Sequence, residues 1–281
     1  MRVIFIGAGS VLLLVLTLLG IRQWALLVPI APFDHPFLKG HLAPHYAVRV
    51  KTDAEAREAR ALQKDIIYFL DLKFTSDGKF LLLQPEEVTG ALTRDSLGDE
   101  KWKGNQLSRY SEAEIRFIFP NAERLQDFLT AFPRQRAILN INDNVEGVHT
   151  KLIEALQDFH PGERFLFQSD VELILKSLKE QNPLWLFGSS RSDLMKILTF
   201  DSIGLEAASP FHGDVYLSPF KLLGRDSFTK GVLAEMKRRQ KDIFLGPLSD
   251  EAEFAEAQKR GASGFIFNDV TLLRKALSKQ H

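Results

Sequence analysis

The stretch Ile67-Tyr-Phe-Leu-Asp71-Leu-Lys-Phe-Thr75-Ser-Asp77-Gly78-Lys-Phe80-Leu-Leu-Leu83-Gln84-Pro85 carries the reading of this chain. Two apolar runs flank Thr-Ser-Asp-Gly, which predicts two strands joined by a tight turn, with Asp77-Gly78 making the reversal. In the first run side chains alternate between the two faces of the strand, so Phe69 and Asp71 share a face. An acidic group on that face, near the strand's end, is either a ligand for something at the sheet edge or a cap for the amides of the next loop.

Working outward, short apolar runs recur at Ala137–Ile141, Arg164–Phe167, Leu184–Phe187, Ser202–Leu205, Val215–Leu217, Asp242–Leu245 and Gly264–Phe267. Amphipathic stretches lie between them, at Thr52–Lys64, Val148–Phe159, Asp170–Glu180, Ser192–Leu198, Ser227–Gln240, Asp250–Arg260 and Thr271–Lys279. Most of the runs are continuously apolar, which suits a parallel sheet buried on both faces. The alternation predicts an α/β fold, a (β/α)8 TIM-type barrel over residues 34–281, with an open doubly wound sheet as the alternative. Residues 84–120 break the pattern and read as an insertion on the barrel, with a turn of helix near Glu112.

Residues 1–33 read differently. Val3 to Ile21 is an uncharged run of 19 residues, the length of a helix that crosses a hydrocarbon core of about 30 Å. No small-residue cleavage site of the signal-peptide kind follows it. One N-terminal transmembrane helix is therefore expected, with a cleaved signal as the alternative. The expected location is a single-pass membrane protein with its body outside the cytoplasm. The 36 basic and 36 acidic side chains cancel, which argues against a nucleic-acid partner. The absence of cysteine excludes disulfide scaffolds, thiolate metal centres and cysteine nucleophiles.

The quoted stretch resembles the second-strand signature of the glycerophosphodiester phosphodiesterase family, approximately IE-x-D-V-x-x-T-x-D-G followed by V-V-x-H-D. Three further segments resemble the same template in order: Leu38-Lys39-Gly40 with Ala43-Pro44-His45-Tyr46 for its H-R-G and P-E-N, Leu139-Asn140-Ile141-Asn142 for its L-N-I-E, and Gly261-Ala-Ser-Gly264-Phe-Ile-Phe-Asn268 for its last strand. The resemblance implies a barrel whose site lies at the C-terminal ends of the strands. It implies a divalent cation, Ca²⁺ or Mg²⁺, held by two glutamates and an aspartate, with two histidines as general acid and base.

Carried onto this sequence, that set is largely substituted. Asp71 keeps the aspartate. Leu38 and Gln84 stand at the histidine positions, and Phe69 and Asn142 at the glutamate positions. Lys39 replaces the arginine, keeping its charge without its bidentate fork. Asp143, one step past Asn142, and the loop histidines His41 and His45 are the candidates for a rearranged site. Lys39 and Arg191, the latter opening a helix after Gly188-Ser-Ser, are the candidates for binding an anionic substrate. Phe211-His212-Gly213-Asp214 pairs a histidine with an aspartate but names no third partner.

Two functions remain open from the sequence. One is a membrane-anchored, catalytically degenerate barrel with no cofactor, binding a phosphorylated lipid or polyol or a protein partner. The other is an active phosphodiester hydrolase that uses Ca²⁺ or Mg²⁺ at a rearranged site.

Overall fold

Eight short strands run parallel to one another: β1 (His45–Arg49), β2 (Ile67–Phe74), β3 (Ala137–Ile141), β4 (Phe165–Gln168), β5 (Leu186–Phe187), β6 (Tyr216–Ser218), β7 (Ile243–Leu248) and β8 (Gly264–Phe267). They belong to a computed structural model that describes residues 2–30, 34–39, 44–93 and 107–279. The hydrogen-bonded order is β5-β4-β3-β2-β1-β8-β7-β6, the cyclic order of a barrel cut at one seam. At that seam the Asp214 and Val215 amides donate to the Phe187 carbonyl at 2.8 and 3.0 Å. The Ser189 hydroxyl receives the Leu217 amide at 3.0 Å. These bonds join β5 to β6, although β5 has only two residues.

The helices are α1 (Arg2–Leu27), α2 (Asp53–Leu62), α3 (Pro85–Thr93), α4 (Glu112–Ile118), α5 (Leu125–Ala131), α6 (Val148–Leu156), α7 (Pro161–Arg164), α8 (Glu172–Gln181), α9 (Arg191–Asp201), α10 (Lys230–Arg238), α11 (Glu251–Arg260) and α12 (Val270–Ser278). Their starts follow from local chemistry. Thr52, Asp250 and Asp269 accept from amides three residues on, and so satisfy donors that the first helical turn leaves orphaned. In α12, Leu272, Leu273 and Ala276 form the inward stripe.

Two apolar layers result. One lies between the sheet and its helices. The other fills the barrel, with Ala47, Phe69, Ile138, Leu166, Leu186, Phe244 and Ile266 among its members. Phe37, fully buried, belongs to this inner layer. Arg136, just before β3, donates to the Phe37 carbonyl at 2.6 Å and lies 5.3 Å over its ring. The segment 34–39 therefore runs beneath the N-terminal ends of the strands.

Several sequence expectations change here. The segment 202–205 is not a strand: α9 continues to Asp201, and Gly204 turns the chain at a φ of 69°. The strand β1 was not foreseen, because His45 and Arg49 disguise a five-residue run. Helix α3 begins a richer insertion than expected. Leu81, Leu83, Val88, Leu107, Tyr110, Ile115 and Ala122 form a small separate cluster there, and Glu123–Arg124 pairs with Phe80–Leu82. Residues 94–106 lie outside those described.

The N-terminal run is helical through α1, and its C-terminal end, with Ala25 buried, packs on the turn Glu206–Ala208. The side chains of α1 are described at Leu13 and from Val15 onward. Among the described residues, no helix is long and apolar enough to cross a membrane, so the expected transmembrane helix is not shown.

Gly246 sits at a φ of 142°, and a Cβ there would lie 2.3 Å from the Ile266 carbonyl oxygen. Gly246→Ala is expected to cost about 3 kcal/mol, from backbone strain plus the clash. Urea unfolding would measure it, and an unchanged midpoint would refute the close approach of β7 to β8.

Candidate functional site

Above the apolar filling, the next inward position on successive strands is polar. Arg49 follows Ala47 on β1, Asp71 follows Phe69 on β2, Asn140 follows Ile138 on β3 and Gln168 follows Leu166 on β4. Asn268 follows Ile266, one residue past β8. Strand alternation alone puts these side chains at one level. In the register, Asp71 lies opposite Asn140 and Asn140 opposite Gln168. The barrel thus carries a polar rim at its C-terminal mouth, where the resemblance places a site.

Arg49 is the centre of this rim. It is 5% exposed, as is Asp71. Its Nε and Nη2 meet Asp71 Oδ2 at 2.8 and 2.7 Å, and Nη1 donates to Asn268 Oδ1 at 2.8 Å. The outer edge of the guanidinium, Nη1 and Nη2, donates to the two carboxylate oxygens of Glu86 at 3.2 Å each. Asn140 Nδ2 donates to the other oxygen of Asp71 at 2.7 Å. Asn142 then donates to Asn140 Oδ1 at 3.3 Å and accepts from the Asp170 amide at 2.7 Å.

The electrostatics follow from this geometry. Burial would draw the proton from Arg49, but the Asp71 and Glu86 carboxylates outweigh it and hold the guanidinium above its ordinary value. Burial would push the Glu86 carboxyl up, yet the hydrogen bond and charge of Arg49 bring it below the usual carboxylate range. Gln168 donates through Nε2 to the Ser189 carbonyl at 2.9 Å, and its Oε1 has no partner among the described residues.

A divalent cation does not fit this donor set. It would need several anionic oxygens, and Asp71 alone remains of the expected carboxylates. Both Asp71 oxygens are already engaged, and the positive charge beside them is a guanidinium from β1. Phe69, buried in the barrel filling, offers no ligand.

The other sequence candidates scatter. Leu38 and Lys39 lie under the barrel, at the opposite end from the mouth, and Lys39 pairs there with Asp34. His45 begins β1, at the same far end, with its ring stacked 5.6 Å from that of Phe244. His41 falls outside the described residues. Asn142 does reach the mouth. Asp143 lies beyond the end of β3, so strand alternation no longer governs it. It accepts from the Phe74 amide at 2.7 Å and faces Lys73 Nζ at 3.3 Å. Gln84 immediately precedes α3, two residues from Glu86. Arg191 opens α9 beside Asp170, whose carbonyl accepts its amide at 3.3 Å.

Arg49, Asn268 and Glu86 were not anticipated. The available signal was a charged residue, Arg49, between the apolar neighbours Val48 and Val50.

A second polar group lies away from the mouth. Glu172, Asp193 and His212 bring ligand atoms within 4.8 Å of one another, in a cleft of about 360 Å³ between α8 and residues 212–213. This is the group that could close around a cation among the described residues. Asp193 and Glu172 also have partners outside the group. Asp193 accepts from the Ser190 amide and hydroxyl and from the His212 amide, with His212 Nδ1 at 3.1 Å. Glu172 pairs with Lys196 at 3.3 Å.

With this geometry established, known proteins supply a comparison. No family model and no curated protein matches the sequence. Solved structures do match. A glycerophosphoryl diester phosphodiesterase domain from Mycobacterium tuberculosis aligns at a TM-score of 0.62 and 12% identity, over 85% of this chain and 100% of that one. The glycerophosphodiester phosphodiesterase of Agrobacterium tumefaciens aligns at 0.58 and 14%, over 82% and 99%. An Oleispira antarctica phosphodiesterase in complex with the product sn-glycerol-3-phosphate aligns at 0.56 and 14%, over 84% and 97%. The chain has the fold of the glycerophosphodiester phosphodiesterases.

Two outcomes are expected of the rim. Arg49→Met leaves Asp71 buried without its cation and should cost about 3–5 kcal/mol, whereas Arg49→Met with Asp71→Leu should recover most of that loss. Denaturant unfolding of the three proteins decides it, and a double variant as unstable as the single would refute the pairing. Glu86, its carboxyl depressed by Arg49, stabilises the fold above the ordinary carboxylate range. That contribution is lost as pH falls through the depressed value. The stability gap between wild type and Glu86→Gln should therefore close on acidification.

Proposed function

We propose that this barrel no longer performs cation-assisted phosphodiester hydrolysis and instead binds a phosphorylated small molecule, such as a polyol phosphate or a lipid headgroup, at its mouth. The observation that carries this reading is the rim. A guanidinium from β1 neutralises Asp71, the one acidic ligand retained from the expected set. No carboxylate triad and no histidine pair stands beside it among the described residues. A cation entering there would meet a fixed positive charge and two carboxylates, Asp71 and Glu86, whose oxygens are already engaged by Arg49 and Asn140. Binding survives such a change more readily than hydrolysis, because hydrolysis needs charge stabilisation and proton transfer in the transition state.

The finer part of the proposal concerns place. α1 contains the uncharged run Val3–Ile21, and Leu13, Leu16, Leu19, Trp24 and Leu27 are exposed along it. We read this surface as one that a bilayer covers, with the barrel held to it by the contact of α1 with Glu206–Ala208. That turn follows α9, on the side of the barrel where segment 34–39 also runs. The mouth would then open away from the bilayer, toward ligands in the aqueous phase.

Two experiments test this. The full-length protein should not hydrolyse glycerophosphocholine or bis(4-nitrophenyl) phosphate in Ca²⁺ or Mg²⁺, and neither ion should raise its melting temperature. EDTA-sensitive turnover that is lost in Asp71→Asn would overturn the degenerate reading. The expressed protein should stay with membranes through a high-pH wash, and release into the supernatant would overturn the anchoring.

A further inference from the structure

We infer that the outer edge of Arg49 is an oxyanion site whose resident occupant is the Glu86 carboxylate, and that a ligand's phosphate or carboxylate group binds by displacing it. The inference rests on the binding function proposed above and specifies how the mouth receives its ligand.

The two sides of the guanidinium differ. Its inner side meets Asp71 and Asn268 at 2.7 to 2.8 Å. Asp71 is 5% exposed and anchored by Asn140. The outer edge meets Glu86 at 3.2 Å through two parallel N–H···O bonds. This fork against a carboxylate is the geometry in which arginine takes a carboxylate or phosphate ligand. The Glu86 side chain is 69% exposed, although the Arg49 side chain it covers is only 6% exposed. The edge that Glu86 covers is therefore the edge that solvent can reach. An ion pair with one solvated partner and long bonds contributes little, so its carboxylate exchanges for another oxyanion at small cost. The inner pair is buried and stays in place. Arg49 is thereby pre-oriented by Asp71 and Asn268, and its rotamer entropy is already spent before any ligand arrives.

The experiment is a calorimetric titration of the full-length protein with inorganic phosphate, sn-glycerol 3-phosphate and acetate, in a carboxylate-free buffer stripped of divalent ions on a chelating resin. Glu86→Gln removes the competing charge and should bind phosphate roughly two- to fivefold more tightly than wild type, the range an exposed ion pair accounts for. Arg49→Lys should lose that binding, because an ammonium cannot present the fork. The first variant guards against misfolding, since a damaged protein does not gain affinity. Glu86→Gln with unchanged or weaker phosphate binding would overturn the inference, as would Arg49→Lys that binds like wild type. Stronger binding of sn-glycerol 3-phosphate or acetate than of phosphate would identify the anion's source. Because divalent ions are absent throughout, these results stand or fall separately from the hydrolysis assay.

Discussion

The buried pair between Arg49 and Asp71 is the constraint from which the character of the mouth follows. Two charges taken from water into the end of a barrel are costly unless each is fully satisfied. Here they are satisfied by neighbours one strand away in each direction, Asn140 on β3 and Asn268 after β8, with Glu86 closing the outside. All of these partners depend on the closed barrel. The pair therefore ties five parts of the chain, separate in sequence, into one rim, and it occupies the place where the resemblance would set a cation. The interaction that holds the rim together thus also sets the charge at the mouth.

Below the rim the barrel is an ordinary apolar core. Phe69 belongs to it, so the position at which the resemblance expects a carboxylate serves packing. Phe37 joins the filling beneath the strands, with Arg136 over its ring. Residues 34–39 have thus become part of the floor. This explains why Lys39, which suits an anion by charge alone, stands at the wrong end to meet one at the mouth.

Much of the fold was legible. The runs 137–141 and 264–267 appear as strands with those bounds, and the turn at Thr75–Gly78 joins two antiparallel strands with Gly78 at a φ of 76°. These succeed because apolar runs and Asp-Gly turns are local signals. β1 failed for the opposite reason: five residues that begin with a histidine and end with an arginine carry no periodicity, and only their pairing with β2 and β8 makes them a strand. The error at 202–205 is of the same type, since Ile203 and Leu205 read as apolar whether they lie in a strand or in a turn. With β1 missed, Arg49 belonged to no element of the expected barrel and drew no attention.

By itself the sequence determined the α/β alternation, the length suited to one barrel, the placement of Asp71 and Phe69 on a shared face, and the absence of glutamate at 69 and 142, where the resemblance expects it. Those properties depend on residue type and on a period of two, which need no partner. What only the tertiary structure decided was the company Asp71 keeps. Arg49, Glu86 and Asn268 are 22, 15 and 197 positions away from it, and no local pattern relates them. Barrel closure brings β8 beside β1 and β1 beside β2, and the electrostatics of the mouth exist only once those strands are paired.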